Sequence, residues 1–336
     1  MTTSTNARRD WFRHETILLA VIVLEIVCFH FVGRNFGTAA NIANIVRQSV
    51  EIGLLALVMT PIILTGGIDL SVGSLLGLCA IVFGMLWKDT GLPPWLAAIG
   101  AIGVGAIGGG MNAALITRLG LPPLIVTLGT FSLFRGLAEA FTGGTKAYTG
   151  FPESFLVLGN SFFLGVPVQA WIFGFVAVAV WLLVHRTTFG RAFRAIGFAP
   201  EGARYAGLPV ARRIALAYTL AGAVSGLAAV IFVSRVTEAR ANAGVGYELA
   251  AITAVVLGGT SIFGGVGSVH GTLLGVAAVA ILANGLSRIL SIMAISRELS
   301  GMLTGALLLL ALAAGGLTKT LSERRARKQS PADPIS

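Results

Sequence analysis

Charge is what this sequence has least of. Charged side chains make up 11% of its 336 residues, where an ordinary soluble domain carries roughly 25%. Hydrophobic residues reach 55% and the mean hydropathy is +0.87. No polar stretch is long enough to supply the surface of a water-soluble core, so the whole chain, 1–336, reads as one membrane domain. Cysteine is also scarce. Cys28 and Cys79 both lie inside apolar runs, which excludes a disulfide framework and places both thiols in the packed interior. The four histidines, His14, His30, His185 and His270, are scattered along the chain. His14-Glu15 begins like a zinc-binding helix, but Leu18 stands where the second histidine belongs, so no metal site is expected. Neither a Gly-x-x-x-x-Gly-Lys-Ser/Thr phosphate loop nor a Gly-x-Ser-x-Gly nucleophile turn occurs. The chain therefore has no catalytic residues to offer and hydrolyses no ATP by that route.

What is present is a series of long apolar runs. Crossing the hydrocarbon core takes about 20 residues of helix, and ten candidates satisfy this: 16–33, 48–65, 70–88, 93–117, 122–142, 167–185, 213–233, 247–263, 269–288 and 298–316. The expected fold is an all-α polytopic bundle. The first run follows Arg8, Arg9 and Arg13 like a secretory signal, but no small-x-small cleavage site closes it, so it is expected to be a retained anchor. The second and eighth spans are expected to be short. Each ends in a glycine break, Thr65-Gly66-Gly67 and Gly258-Gly259-Thr260, and interrupted spans of this kind line cavities. Each break is followed by a glycine pair at four-residue spacing, Gly73 with Gly77 and Gly271 with Gly275, which hints at an internal repeat. Gly105 with Gly109, Gly222 with Gly226, and Gly301 with Gly305 have the spacing that lets helices approach closely.

Net charge is +10, which in a soluble protein would suggest nucleic acid. Its placement argues otherwise. With ten alternating spans and a cytoplasmic N-terminus, 15 of the 24 Lys and Arg fall on the inner side. That side takes in Arg8, Arg9, Arg13, Arg118, six arginines between 186 and 213, and the basic tail 318–336. This bias puts both termini in the cytoplasm, with 1–15 as a cytoplasmic segment, and assigns the basic tail to topology and membrane lipid. No nucleic-acid partner is expected.

The longest inner loop, 186–213, carries a helix signal of its own. Pro200 and Glu201 suit a first turn, while Gly207 and Pro209 stop the chain, leaving a stub of about two turns. It offers Glu201, Arg204 and Tyr205 to a partner. Ionisable residues inside the spans form a second group of candidates, because a mid-membrane charge costs about 2.5–3.5 kcal/mol on insertion scales. These are Glu25, Glu51, Asp69, Arg135 and Glu139. Arg135 and Glu139, four apart, are expected to neutralise each other on one helix face. Asp69, two residues before Ser71, is expected to accept local backbone N–H bonds. A sugar is recognised by hydroxyl hydrogen bonds and apolar ring faces, so Asn112, Thr127, Phe131 and Ser132 are further candidates for a pathway.

Three separated motifs resemble one family. They are Thr65-Gly-Gly-Ile-Asp-Leu-Ser-Val-Gly-Ser74, the segment Gly190–Gly207, and Leu257-Gly-Gly-Thr-Ser-Ile-Phe-Gly-Gly-Val-Gly-Ser268. In order and spacing they are similar to the permeases of ribose-type ABC sugar importers (carbohydrate uptake class 2). Thr127-Leu-Gly-Thr130, Arg135-Gly136 and Thr142-Gly-Gly144 are nearest to the rhamnose and autoinducer-2 branch. The resemblance implies an inner-membrane permease subunit that imports a monosaccharide or sugar-like solute: rhamnose, a ribose-type sugar or autoinducer-2. It implies a second permease copy or paralogue, a cytoplasmic ABC ATPase that binds ATP and Mg in place of this chain, and a periplasmic solute-binding protein. The family's coupling helix falls on about 199–208, so Pro200, Glu201, Gly202, Ala203, Arg204, Tyr205 and Gly207 are the residues expected to meet the ATPase. Pro200 departs from the Asn or Asp usual near that position. The rival reading is a carrier driven by an ion gradient, with the intramembrane acids as its ion sites, but such a carrier has no need of the coupling loop.

Overall fold

The computed structural model describes residues 3–33 and 35–292. The expected tenth span, the Gly301 and Gly305 pair and the basic tail lie outside them. Twelve helices are described: α1 (Thr3–Val32), α2 (Ala39–Leu64), α3 (Val72–Lys88), α4 (Pro94–Arg118), α5 (Pro123–Thr142), α6 (Glu153–Asn160), α7 (Val168–Arg186), α8 (Thr188–Phe198), α9 (Pro200–Tyr205), α10 (Val210–Val236), α11 (Tyr247–Leu257) and α12 (Val269–Ile292). Two antiparallel pairs of two-residue strands complete them: β1 (Tyr148–Thr149) with β4 (Glu238–Ala239), and β2 (Phe162–Phe163) with β3 (Val166–Pro167). Among the described residues seven helices are long and apolar enough to cross a membrane, and α3 and α11 are shorter apolar helices.

Helix α2 is the centre of the bundle. Every residue from Gly53 to Leu64 is buried, the signature of a helix enclosed on all sides by protein. The expectation that this span is short is corrected, because the helix runs for 26 residues from a Thr38 cap whose side chain accepts from the Asn41 N–H. The sequence signal begins late because the first turns are polar. Asn41 donates to Asn284 Oδ1 at 3.0 Å and accepts from Arg288 at 2.8 Å, so its polar groups are satisfied within the protein. The short eighth span holds: α11 has 11 residues. α1 is continuous from Thr3 to Val32, and its part from Glu15 onward is apolar enough to cross a membrane.

Glycine sets the close contact between α4 and α10. Gly105 and Gly109 of α4 lie against Gly222 and Gly226 of α10. A Cβ on Gly109 would stand 3.0 Å from the Gly222 Cα, and one on Gly226 would stand 2.7 Å from the Ile102 Cα. This is close helix approach through small residues, as the spacing predicts. The outer faces of α1, α5 and α7 are apolar: Phe31 is 83%, Ile125 65% and Phe175 76% exposed. An apolar surface this extensive suits lipid or another subunit and would be an aggregation hazard in water. Cys79 is buried, whereas Cys28 is exposed on α1, against the expectation that both lie in the interior. The period of α1 leaves one face unpacked, and Cys28 lies on it.

Candidate functional site

The two glycine breaks have the same backbone design. At the end of α2 the Gly66 N–H bonds the Ile63 carbonyl at 2.9 Å and the Gly67 N–H bonds the Ile62 carbonyl at 3.1 Å. At the end of α11 the Gly259 N–H bonds Val256 at 2.9 Å and the Thr260 N–H bonds Val255 at 3.2 Å. Both are Schellman closures around a left-handed glycine, Gly66 at φ +82° and Gly259 at φ +88°. The breaks also meet in space, since the Gly265 N–H donates to the Leu64 carbonyl at 3.0 Å. That bond occupies a carbonyl which the end of α2 would otherwise leave orphaned. The small residue at their junction is Gly197 of α8, where a Cβ would stand 2.5 Å from the Gly265 nitrogen.

Four of the expected residues converge on the first break. Asp69, 2% exposed, accepts from the Ser71 N–H at 2.8 Å and from the Ser71 hydroxyl at 2.6 Å. This Asx-type turn starts α3. Asn112 of α4 donates to the Ser71 hydroxyl at 2.8 Å, and Thr127 of α5 donates to the Ile68 carbonyl at 3.2 Å. Tyr218 of α10, which sequence reasoning missed, reaches the same carbonyl at 3.5 Å. Its only sequence signal is a lone tyrosine in an apolar span. The knot is buried, with the Asn112 amide N–H and the Ser71 hydroxyl bonded within it and the Thr127 and Tyr218 hydroxyls on the Ile68 carbonyl, while Asn112 Oδ1 meets no donor; it fixes where α3 leaves the break relative to α4, α5 and α10.

Arg135 goes elsewhere. The expected pairing with Glu139 is not formed: Glu139 is exposed, and among the described residues no ion pair joins the two. Arg135 instead points inward from α5, and its Nη1 bonds the carbonyls of Ala241 and Ala243, the latter at 3.1 Å. These lie in the irregular stretch 237–246 between α10 and α11. Glu248 lies close by, its Oε1 accepting from the Gly246 N–H at 3.2 Å. A helix i, i+4 pair is worth only about 0.2–0.5 kcal/mol, whereas an unsatisfied carbonyl away from water costs more, so the guanidinium takes the carbonyls. Gly73 and Gly77, the pair after the first break, make room for this irregular backbone, and a Cβ on Gly77 would stand 2.8 Å from both Arg135 Nη1 and the Ala243 carbonyl oxygen. Gly271 and Gly275 do face a helix, the end of α11 at Ala254 and Gly258. Phe131 is half-buried and Ser132 exposed on α5, away from the knot's hydrogen bonds.

Of the other acids, Glu51 is fully buried and paired with Arg235 of α10 at 2.7 Å. Glu25 is half-buried on α1, with one carboxylate oxygen that meets no donor. His185 and His270, far apart in sequence, come together with ring centroids 5.2 Å apart. Both are already engaged: His185 Nε2 accepts from the Val269 N–H, and His270 Nε2 accepts from Trp181. No group of three or more metal-ligating side chains occurs among the described residues.

The segment 186–213 is not a loop with one stub but two helices. α8 is amphipathic, burying Gly190, Ala192, Phe193 and Ile196. That spacing was legible in the sequence beneath the arginines. α9 spans Pro200–Tyr205, as Pro200 and Gly207 predict. Pro200 takes the first helical position and Ala199 offers no side-chain cap, which accounts for a helix start without Asn or Asp. Gly207 at φ +77° ends it, with the Leu208 N–H on the Ala203 carbonyl at 3.1 Å. Ala203 is buried against the body, while Phe198 and Tyr205 are 85% and 88% exposed. Glu201 and Arg204 make an exposed pair at 3.7 Å. Arg194 turns inward instead, donating to the Val184 carbonyl at 3.2 Å and the Gly267 carbonyl at 3.4 Å. Near the other end of α3 the exposed Asp89 accepts from Tyr148 at 2.7 Å and from Lys146 at 3.3 Å. The Tyr148 hydroxyl, and then Lys146, hold its carboxyl below the usual carboxylate range.

Comparison with known proteins gives this architecture its context. The chain is 38% identical over 328 residues to the autoinducer 2 import system permease protein LsrD of Yersinia pseudotuberculosis serotype O:3, covering 94% of this chain and 97% of that protein. The Yersinia pestis (strain Pestoides F) LsrD is 37% identical over the same length and shares. In three dimensions the chain is similar to a solved metal-chelate type ABC transporter in an inward-facing conformation, with a TM-score of 0.53 at 17% identity over 90% of this chain and 99% of that one. This likeness speaks for the fold alone. Residues 41–312 match the family described as branched-chain amino acid transport system / permease component, and with nearly its full length shared with such permeases the chain belongs to that family of ABC importer permeases.

Proposed function

We propose that this permease imports a small sugar-like solute of the autoinducer-2 or rhamnose type, and that the α8–α9 face is where a separate ATPase drives it. The carrying observation is the pair of exposed aromatics, Phe198 at the end of α8 and Tyr205 at the end of α9, with Ala203 of α9 buried against the body between them. Large exposed aromatics beside an exposed charge pair suit a protein partner. In this reading α8 and α9 lie in the cytoplasm with both termini, and a second permease copy or paralogue completes the path. A periplasmic binding protein captures the solute.

The mechanism follows from the contacts. A push on α9 is delivered through α8 to Gly197, which bears on the ends of both broken helices at once. The Asp69–Ser71–Asn112 knot passes the displacement to α3 and α4. The energy is the partner's; this chain converts a shift of one short helix into a change in which side the bundle opens. Glu201→Lys combined with Ala203→Pro, which removes the Ala203 N–H bond to the Ala199 carbonyl at 2.9 Å, should abolish co-purification of the ATPase and leave membrane insertion intact. Unchanged co-purification refutes the docking face. Uptake of autoinducer-2, rhamnose and leucine by the reconstituted complex decides the solute, and gradient-driven uptake by the permease alone overturns the ATP-driven reading.

A further inference from the structure

Apart from the short strand β4, the stretch 237–246 is irregular backbone packed inside the bundle. Thr237, Gly244 and Gly246 all adopt positive φ, at +62°, +72° and +81°. It packs on α3 at Gly73 and Gly77, and Gly77 lies eleven residues from the end of α3 at Lys88, about 16 Å along a helix rising 1.5 Å per residue. That depth is about half of a ~30 Å hydrocarbon core. Non-helical backbone survives there only if protein satisfies its polar groups or if it lines a water-filled space.

Protein satisfies the stretch on one side, and a cavity opens on the other. On the inner side the Arg135 guanidinium, a rigid fork of donors, takes the carbonyls of Ala241 and Ala243, and Glu248 takes the Gly246 N–H. Arg135 Nη2 and Glu248 Oε2 are buried and meet no hydrogen-bond partner. On the other side the same stretch, through Glu238, Arg240 and Asn242, walls a cavity of about 280 Å³ with Phe232 and Tyr247. Phe232 and Tyr247 meet edge to face, and Glu238 pairs with Arg240. An amide, a carboxylate, a guanidinium and an aromatic edge in a space below the ~300–1,000 Å³ of drug-sized pockets match one small, neutral, polyhydroxylated solute.

We propose that residues 237–246 form a solute-facing wall of the transport path and that Arg135 is the positioning residue that holds the wall at this depth. This rests on the importer reading above. Asn242, Arg240 and Tyr247 meet the solute, while Arg135 acts through the backbone that carries Asn242 and never touches the solute itself. Glu248 steadies the same backbone from the far end, and Gly73 and Gly77 keep the groove open for it.

The test is cysteine accessibility in the whole transporter, in cells, with Cys28 and Cys79 replaced by Ala and Asn242→Cys introduced. The membrane-impermeant thiol reagent MTSET should label position 242 from outside, and saturating autoinducer-2 or rhamnose should slow the labelling at least threefold. Arg135→Gln should change the labelling rate tenfold or more and raise the half-saturation of uptake in the chain that keeps Asn242. Arg135→Lys, which can still reach one carbonyl, should fall between. Co-purification with the ATPase is measured as the assembly control; if Arg135→Gln does not assemble, Glu248→Gln, which loosens the same stretch, replaces it. Position 242 inert to MTSET, or labelled at an unchanged rate in the assembled variants, overturns the wall and its clamp. Labelling that responds to Arg135 but is not slowed by any solute in the panel that the intact transporter takes up overturns the path assignment. Absence of uptake of every panel solute by the intact transporter counts against the proposed solute class, and the labelling-rate comparison then judges the clamp alone.

Discussion

Replacing Gly197 by alanine sets two known effects against each other. Within a helix, Gly→Ala ordinarily stabilises by roughly 0.5–1 kcal/mol. At Gly197 the new Cβ would meet the Gly265 nitrogen at 2.5 Å and the Leu64 carbonyl carbon at 3.0 Å, the first about 1 Å inside the ~3.5 Å optimum of non-bonded atoms. Both neighbours are backbone and cannot rotate aside. Overpacking of this kind costs about 1–3 kcal/mol, and prying Gly265 from the Leu64 carbonyl forfeits about 1 kcal/mol more. The balance is a loss of about 1–3 kcal/mol, or roughly five- to a hundred-and-fiftyfold in any equilibrium that requires the junction closed. In proteoliposomes holding the whole transporter, Gly197→Ala should lower the solute moved per ATP hydrolysed while the ATPase remains bound, and should lower the melting midpoint. Gly202→Ala in α9 is the control, since its Cβ meets only the Ala199 Cβ at 3.4 Å; it should be neutral or stabilising. Wild-type transport stoichiometry and melting in Gly197→Ala refute the role of the junction.

Asp69→Ala removes two hydrogen bonds at the start of α3 and, at roughly 1.5–3 kcal/mol for bonds to a charged group, should reduce assembled permease in detergent extracts. Asp69→Asn keeps an acceptor for the Ser71 N–H and should recover much of it; equal yields for both variants refute the turn. Glu51→Leu leaves Arg235 buried without its partner and should destabilise by about 3–5 kcal/mol, whereas Glu51→Leu with Arg235→Met should restore thermal stability, and a double variant no better than the single counts against the pair. Asp89 has a depressed pKa, so its contribution is present above the ordinary value of 3.8 and is lost as pH falls through the lower folded value. Lys146 has a raised pKa, so its contribution is present below the ordinary value of 10.5 and is lost as pH rises through the higher folded value. Hydrogen-exchange protection around β1 and β4, corrected for the intrinsic pH dependence of exchange, should therefore be greatest between these limits and fall at both extremes, and Asp89→Asn should abolish the acid limb.

How much of this was legible beforehand depends on the range over which each feature is decided. Hydropathy placed nine helices that the structure describes, and four-residue glycine spacing found the seam between α4 and α10, because these depend on local composition and period. The short α9 was also readable, since Pro200 and Gly207 fix its ends by backbone chemistry alone. α8 was missed because its arginines drew the reading to charge when Phe189, Phe193 and Ile196 already carried a helical period.

Partnership was another matter. A sequence shows Arg135 and Glu139 four apart and suggests that they pair; only the folded chain brings the carbonyls of Ala241 and Ala243, more than a hundred residues away, within reach of that guanidinium. The same holds for Glu51 with Arg235, for Tyr218 at the first break, and for α2, whose polar first turns hid its length until Asn284 and Arg288 arrived to satisfy Asn41. The sequence by itself determined that this protein lives in a membrane, where its helices and breaks fall, and which family its motifs resemble, because those follow from transfer free energy and local backbone preference. Tertiary structure alone decided which buried polar group answers which, because away from water a polar group gains most from a partner and the nearest one in space is seldom the nearest one in the chain.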